Sequence, residues 1–345
     1  MIVPAFGRRR FIAVGAGAIS GCASRPRQDR RVSAPRAVSI GVDSIDRAVP
    51  FLRDVLGHQL EWRRPIEPRR IKAWGLPGHT AGEVAEFSCG GYPTGRLRLL
   101  QLDPVATKVT RADFGPTAVD SPIAVGPKAI DFYAPATVSD AIADWTRFGL
   151  TQRHPQPAVY PGGLEEAVFT GIGAAPMMAM GRPKGPSSDV RAGLPTDRYG
   201  EIATISIVTG DQAASRRFFA DVLGLTQRID RPLPEGFRKP VETLVGAPPG
   251  LAIHWSIFGP TGENSAKFLL LHFTGQDSKM LASGMGPDRL GLAVFHFDVT
   301  GLDDLHDRLT AGGFEVTARP ARVGGQRVMT ARGPNGEFCE FSESA

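Results

Sequence analysis

Cysteine is nearly absent, with three in 345 residues: Cys22, Cys89 and Cys339. A disulfide framework is therefore excluded, and no paired C-x-x-C offers a zinc knot or a redox dithiol. Cys89 and Cys339 read as free, buried thiols. Long apolar runs are also missing. The weakly apolar stretch of residues 11–20 would rise only about 15 Å as a helix, half the thickness of a bilayer core, so it does not span a membrane. There is no phosphate-cradling glycine loop with a lysine and no G-x-S-x-G elbow, which removes the common nucleotide-binding and serine-hydrolase signatures. The glycine-rich GAGAISG of the leader follows no strand and is not a nucleotide fingerprint.

Acidic residues are scarce at one end of the chain. The formal charge is +5, yet residues 1–36 hold eight arginines against Asp29 alone. That stretch carries +7, so residues 37–345 carry −2. A nucleic-acid binder needs its basic surface on the folded part, where it displaces phosphate counterions, so no nucleic-acid partner is expected. The leader GRRRFIAVGAGAISGC has a charged start, a short apolar stretch and a cysteine close behind. It reads as an export signal over residues 1–22. Arg8-Arg9-Arg10-Phe11-Ile12 resembles the twin-arginine type, and Ile19-Ser20-Gly21-Cys22 resembles a lipobox in which Cys22 is lipidated. Simple cleavage to a soluble exported product and an uncleaved amphipathic tail remain alternatives. With lipidation, the protein would sit on the periplasmic face or cell envelope, held by acyl chains. Residues 23–36, rich in arginine, proline and serine, are expected to be a flexible tether.

What the chain does contain is a duplication. FLRDVLG at 51–57 returns as FFADVLG at 218–224, an offset of 167. RLRLLQLD (96–103) returns as KFLLLHFT (267–274) at an offset of 171, and AIDFYA (129–134) is matched by VFHFDV (294–299). Four units result. Each opens with an alternating strand, VSIGV (38–42), IDFYA (130–134), ISIVT (205–209) or FHFDV (295–299). An amphipathic helix follows and a glycine stops it, at Gly57, Gly149, Gly224 and Gly312. Three shorter strands complete each unit, clearest in LAIHWSIF (251–258), KFLLLHF (267–273) and EFCEFS (337–342). The prediction is an α+β chain of four βαβββ modules pairing into two curved, barrel-like mixed sheets. The boundaries read as an N-terminal domain at 37–183, a Pro/Gly-rich linker at 184–199 and a C-terminal domain at 200–345.

The F-x-x-D-V-L-G helix end after a strand, with GPNGEFCEF closing the last unit, resembles the vicinal oxygen chelate superfamily. This group includes glyoxalase I, the bleomycin-resistance proteins and the extradiol dioxygenases. The resemblance covers residues 37–343. It implies that two units pair into a curved sheet whose hollow holds a small-molecule ligand, usually beside a divalent metal. On the family pattern, the opening-strand ligand slots fall on Ala37, Ala129, Thr204 and Val294, and the closing-strand slots on Gln101, Ala179, His272 and Glu340.

Strand alternation gives the inward faces independently. Val294, His296 and Asp298 oppose the apolar Phe295, Phe297 and Val299; Thr204, Ser206 and Val208, then Ala129, Asp131 and Tyr133, then Ala37, Ser39 and Gly41 follow the same rule. Two histidines and a carboxylate, His272, His296 and Glu340, would suit Fe(II), Mn(II) or Zn(II). His296 sits two residues, about 6.6 Å, beyond the family slot, so a metal-free pocket lined by the same groups is the competing reading. Thr204, His254, Asp131 and Gln101 are the further candidates for contact with a substrate. Arg63-Arg64, Arg69-Arg70 and Arg231 would either meet an anionic substrate or be solvated loop charge. The leader implies export, and the resemblance implies a protein that acts in its C-terminal pocket on a small oxygenated molecule, by a lyase, isomerase or dioxygenase step. The alternative is a non-catalytic protein that binds or sequesters such a molecule.

Overall fold

The computed structural model describes residues 32–90, 92–110, 123–135, 137–181, 199–262, 265–275 and 284–344. The leader and Cys22 lie outside these residues, as does most of the linker. The first unit comprises β1 (Val32–Gly41), α1 (Ile45–Pro50), β2 (Gln59–Pro65), α2 (Pro68–Ala73), β3 (Ala81–Ser88) and β4 (Arg96–Asp103), and a short β5 (Lys108–Val109) follows it. The second comprises β6 (Gly126–Tyr133), α3 (Val138–Phe148), β7 (Thr151–Gln152), β8 (Ala158–Val159), β9 (Glu165–Thr170) and β10 (Pro176–Met180). The third comprises β11 (Ile202–Val208), α4 (Gln212–Arg216), β12 (Thr226–Pro232), α5 (Glu235–Val245), β13 (Ala252–Gly259) and β14 (Lys267–Thr274). The fourth comprises β15 (Arg289–Val299), α6 (Leu302–Ala311), β16 (Val316–Val323), β17 (Gln326–Arg332) and β18 (Phe338–Ser344). The tether expected at 23–36 thus gives way to strand from Val32.

Local chemistry explains the helices. Ser44, Thr137 and Asp211 accept the orphan N–H groups of Arg47, Asp140 and Ala214 at the starts of α1, α3 and α4. The repeated phrase has a repeated shape. In both copies the helix widens into a π turn, over Phe51–Val55 and Arg217–Val222. Leu56 N–H donates to the Phe51 carbonyl at 3.0 Å and Leu223 N–H to the Phe218 carbonyl at 2.9 Å. Pro50 precedes only one of the turns, so the proline is not their cause. The extra residue per turn lets adjacent side chains, Phe51 with Leu52 and Phe218 with Phe219, both be fully buried. Gly57 and Gly224 end the turns at φ of 72° and 74°, where a side chain is disfavoured.

The pairing of units differs from the sequence expectation. The first sheet runs β16-β17-β18-β15-β1-β4-β3-β2, joining the fourth unit to the first. The second runs β12-β13-β14-β11-β6-β10-β9-β7, joining the third to the second. Each joint is an antiparallel pair of opening strands, β1 with β15 and β6 with β11. Consecutive units, grouped above as 37–183 and 200–345, do not share a sheet; they meet through their helices. Phe51 lies 5.5 Å from Trp145 of α3, and Phe218 lies 5.0 Å from Phe314 just beyond α6. The helices and one face of each sheet share a single apolar core that includes Phe87, Phe132, Phe169, Phe268 and Phe295. The opposite face of each sheet is left to form a hollow.

Candidate functional site: two unlike hollows

The two hollows occupy equivalent places. In the first sheet, α2 and the following Trp74 lie over strands contributed by both units; in the second, α5 does the same. Register identifies matching positions. Ser39 pairs with Arg98 and His296 with Glu340 in the first sheet, as Ser206 pairs with Leu269 and Asp131 with Met178 in the second. The serine spans the joint in both. Ser39 Oγ lies 2.7 Å from His296 Nε2, and Ser206 Oγ donates to Asp131 Oδ2 at 3.1 Å.

The first hollow is polar. His296 Nδ1 lies 3.1 Å from Glu340 Oε1, which also accepts from Arg70 at 2.5 Å, while Glu340 Oε2 accepts from Trp74 Nε1 at 2.8 Å. Beside them Glu86 accepts from Arg96 at 2.8 Å and from Arg98 at 2.7 Å. Burial would raise the Glu340 carboxyl, but Arg70, His296 and Arg98 outweigh it and hold the group well below the usual carboxylate range. Glu86 is likewise held at about 2 by Arg98 and Arg96 against burial. Burial first and Arg98 second bring His296 down to about 4. The imidazole is therefore neutral at pH 7, so Nδ1–H donates to the ionised Glu340 and Nε2 accepts the Ser39 hydroxyl. A polar cavity of about 260 Å³ opens above, walled by Arg36, Arg64, Arg70, Arg98 and Trp62.

The second hollow is apolar. A cavity of about 130 Å³ is walled by Met178, Leu233, Phe237, Val241, Trp255 and Leu271, among others. Set into that wall is the Glu166 carboxyl, to which the Tyr160 hydroxyl donates at 2.5 Å. Burial lifts Glu166 to about 7 despite the tyrosine's hydrogen bond. Burial and the neighbouring Glu166 raise the fully buried Asp131 well above its usual range, which favours its protonated form. Asp131 Oδ1 has no hydrogen-bond partner among the described residues.

The residues singled out by sequence divide between these places. His296 and Glu340 meet in the polar hollow; Asp131 and Thr204, cross-strand partners, lie in the other sheet. His272 belongs to the second sheet and turns to its helix face, where Nδ1 lies 3.0 Å from the Thr209 carbonyl oxygen. Its repeat partner Gln101 does the same in the first sheet, accepting the Ile45 N–H at 2.8 Å. Ala179, another expected slot, also belongs to the shared core. His254 is not a pocket residue: it turns to the edge surface, 2.7 Å from Asp230 Oδ1, and Trp255 enters the hollow instead. His58 is buried and lies 3.1 Å from the Gly200 carbonyl oxygen.

The proposed metal ligands therefore do not fit a metal. Glu340 is committed to a guanidinium and an indole N–H, both ring nitrogens of His296 are engaged, and His272 is in the other sheet. Among the described residues no group of three His, Cys, Asp or Glu side chains converges on a point. Cys89 and Cys339 are buried and free, as expected. Tyr160 and Glu166 were missed by the sequence reading. Their signal lay in EEAVF, where Glu166 alternates with Val168 on one face and Ala167 and Phe169 enter the core on the other.

Comparison with known proteins agrees with this architecture. Residues 201–341 match the model of the Glyoxalase/Bleomycin resistance protein/Dioxygenase superfamily. Those residues are the third and fourth units, which lie side by side in sequence and in different sheets. Among solved structures, glyoxalase I from Zea mays aligns with a TM-score of 0.58 at 12% identity, covering 90% of this chain and 92% of that one. A putative dioxygenase from Bacillus subtilis aligns with a TM-score of 0.56 at 10% identity, covering 91% and 86%. No curated protein matches the sequence. The chain thus has a glyoxalase-like α+β fold along nearly its whole described length, with the superfamily match in its second half.

Proposed function

We propose that the protein is exported and that its apolar hollow receives a small, largely apolar molecule bearing a carbonyl or hydroxyl oxygen, with which Glu166 exchanges a proton. The observation that carries this is the Glu166 carboxyl at about 7, paired to Tyr160 in the wall of a largely apolar cavity that Lys128, Arg153 and Ser206 also line. A general base works best when its pKa lies near the working pH. Ionised Glu166 can take a proton from carbon or oxygen of the ligand, and the Tyr160 hydroxyl, which donates its one proton to Glu166, holds the carboxyl in place. That combination suits an isomerase- or lyase-type proton transfer better than a purely passive pocket. No step is assigned to a metal, because the donor set does not fit one.

The test is a screen of small ketones and hydroxyarenes by titration calorimetry, followed by assay of turnover. The reading expects Trp255→Ala to abolish binding and His254→Ala to leave it unchanged. Glu166→Gln should keep binding and lose proton exchange between ligand and deuterated water. Exchange that survives in Glu166→Gln would defeat the catalytic part, leaving a binding protein; binding untouched by Trp255→Ala would defeat the site itself. Export by the Arg8-Arg9-Arg10 leader and lipidation at Cys22 belong to the same proposal. Fractionation of cells making the native chain and Cys22→Ala tests them, the variant being expected to leave the membrane fraction.

A further inference from the structure

The polar hollow of the first sheet is a separate place with its own chemistry. Its floor carboxylates are already matched: Glu340 by Arg70 at 2.5 Å, and Glu86 by Arg98 at 2.7 Å and Arg96 at 2.8 Å. A guanidinium has five N–H donors. Arg70 and Arg98 each commit one to a floor carboxylate in the bonds above, and both line the cavity. Arg64 reaches the same cavity with its guanidinium 4.2 Å from the centre of the Trp62 ring, and it forms no ion pair among the described residues. Three arginine forks therefore face one space beside two indoles, Trp62 and Trp74. Two carboxylates, Glu67 and Asp298, also line the cavity, Asp298 paired with Arg36, but the four arginines Arg36, Arg64, Arg70 and Arg98 outnumber them, so an oxyanion meets donors already in place.

We propose that this hollow is a second ligand site, independent of the apolar one, which takes a small molecule carrying an oxyanion on Arg64, Arg70 and Arg98. Trp62, which lines the same cavity beside Arg64, favours a flat apolar body behind the anion. The two hollows then divide one inherited plan: where the second sheet has Leu269 and Met178 and holds carboxyls raised by burial, the first has Arg98 and Glu340 and holds charge.

Carboxylate and phosphate share the required chemistry, and the experiment separates them. Benzoate, inorganic phosphate and the uncharged control benzamide are titrated into the full exported chain, by calorimetry and tryptophan fluorescence. Saturable binding of benzoate or of phosphate at or below about 1 mM is expected, weakening as salt is raised. The anion that binds tells which class the site prefers. Arg64→Gln, at an exposed position outside any described ion pair, should weaken binding about tenfold or more without moving the melting temperature. Glu166→Gln should leave it unchanged, which separates this site from the apolar hollow. The proposal is overturned if neither anion binds up to about 10 mM, if benzamide binds as well as benzoate, or if Arg64→Gln binds like the native protein.

Discussion

Ser39 Oγ stands 2.7 Å from His296 Nε2 across the joint of the first sheet, and the duplication places Ser206 in the same relation to Asp131 in the second. One hydrogen bond is repeated while its surroundings diverge. Beside Ser39 and His296 the next strands supply Arg98 and Glu340; beside Ser206 and Asp131 they supply Leu269 and Met178. Arginines keep buried carboxylates ionised, and apolar neighbours keep them protonated. In the first hollow Arg70 of α2 and Arg98 hold Glu340 ionised against burial, whereas in the second burial raises Asp131 and Glu166.

The raised Glu166 makes stability fall as pH rises. Its folded value near 7 exceeds the 4.5 of an ordinary glutamate, so the folded chain holds the proton more tightly, and this contribution is lost from about pH 4.5 to about pH 7. His58 and His296, both lowered to about 4, act oppositely and add stability as pH rises from about 4 to 6.5. The clean quantity is therefore a difference. Glu166→Gln should gain stability over the native protein steadily from pH 4.5 to 7, reaching up to about 3 kcal/mol and then levelling. Urea denaturation across that range measures it, and a flat difference would contradict the lifted carboxyl.

The separation of the supposed metal ligands is open to double-mutant cycles. His296 and Glu340 touch, so His296→Ala and Glu340→Gln should be non-additive by about 0.5–3 kcal/mol. His272 lies in the other sheet, and its cycle with Glu340→Gln should add within about 0.5 kcal/mol. Glu340→Ala alone strands Arg70 near the hollow and should cost about 3–5 kcal/mol. Strong coupling between His272 and Glu340 would restore a shared site.

Gly224 closes the second π turn at φ of 74°, and a Cβ there would meet nothing within 4 Å. The penalty for Gly224→Ala is then one of backbone alone, about 1 kcal/mol, and Gly224→Asn should cost less. Thermal unfolding of the two variants checks the order; equal losses would point to packing instead.

Much of this was legible in the sequence. The four units, the helix stops and the inward faces of the opening strands followed from alternation, because those strands bury one face under helices and turn the other to a hollow. The closing strands misled. In RLRLLQLD and KFLLLHFT the central leucines are consecutive, which blurs the alternation, and polar Gln101 and His272 look like inward residues although each serves a backbone group on the helix side. His254 failed differently: the bulky Trp255 took the hollow and the histidine went to Asp230 at the edge. The partner of each unit was not legible at all, since alternation within a strand says nothing of which distant strand it joins.

That pairing carries the last prediction. Because β1 joins β15 and β6 joins β11, each sheet is completed by strands from both halves of the chain. Cutting the backbone at an inserted protease site within residues 182–198 should therefore leave the halves bound to one another. Separating them would expose two strand edges in each half and open the shared core around Phe51, Trp145, Phe218 and Phe268. Gel filtration of the cut protein should show the mass of the intact chain, with far-ultraviolet dichroism unchanged, and only denaturant should part the fragments. Two stable, separately folded halves in buffer would instead mean that consecutive units pair, and both hollows described above would have to be reassigned.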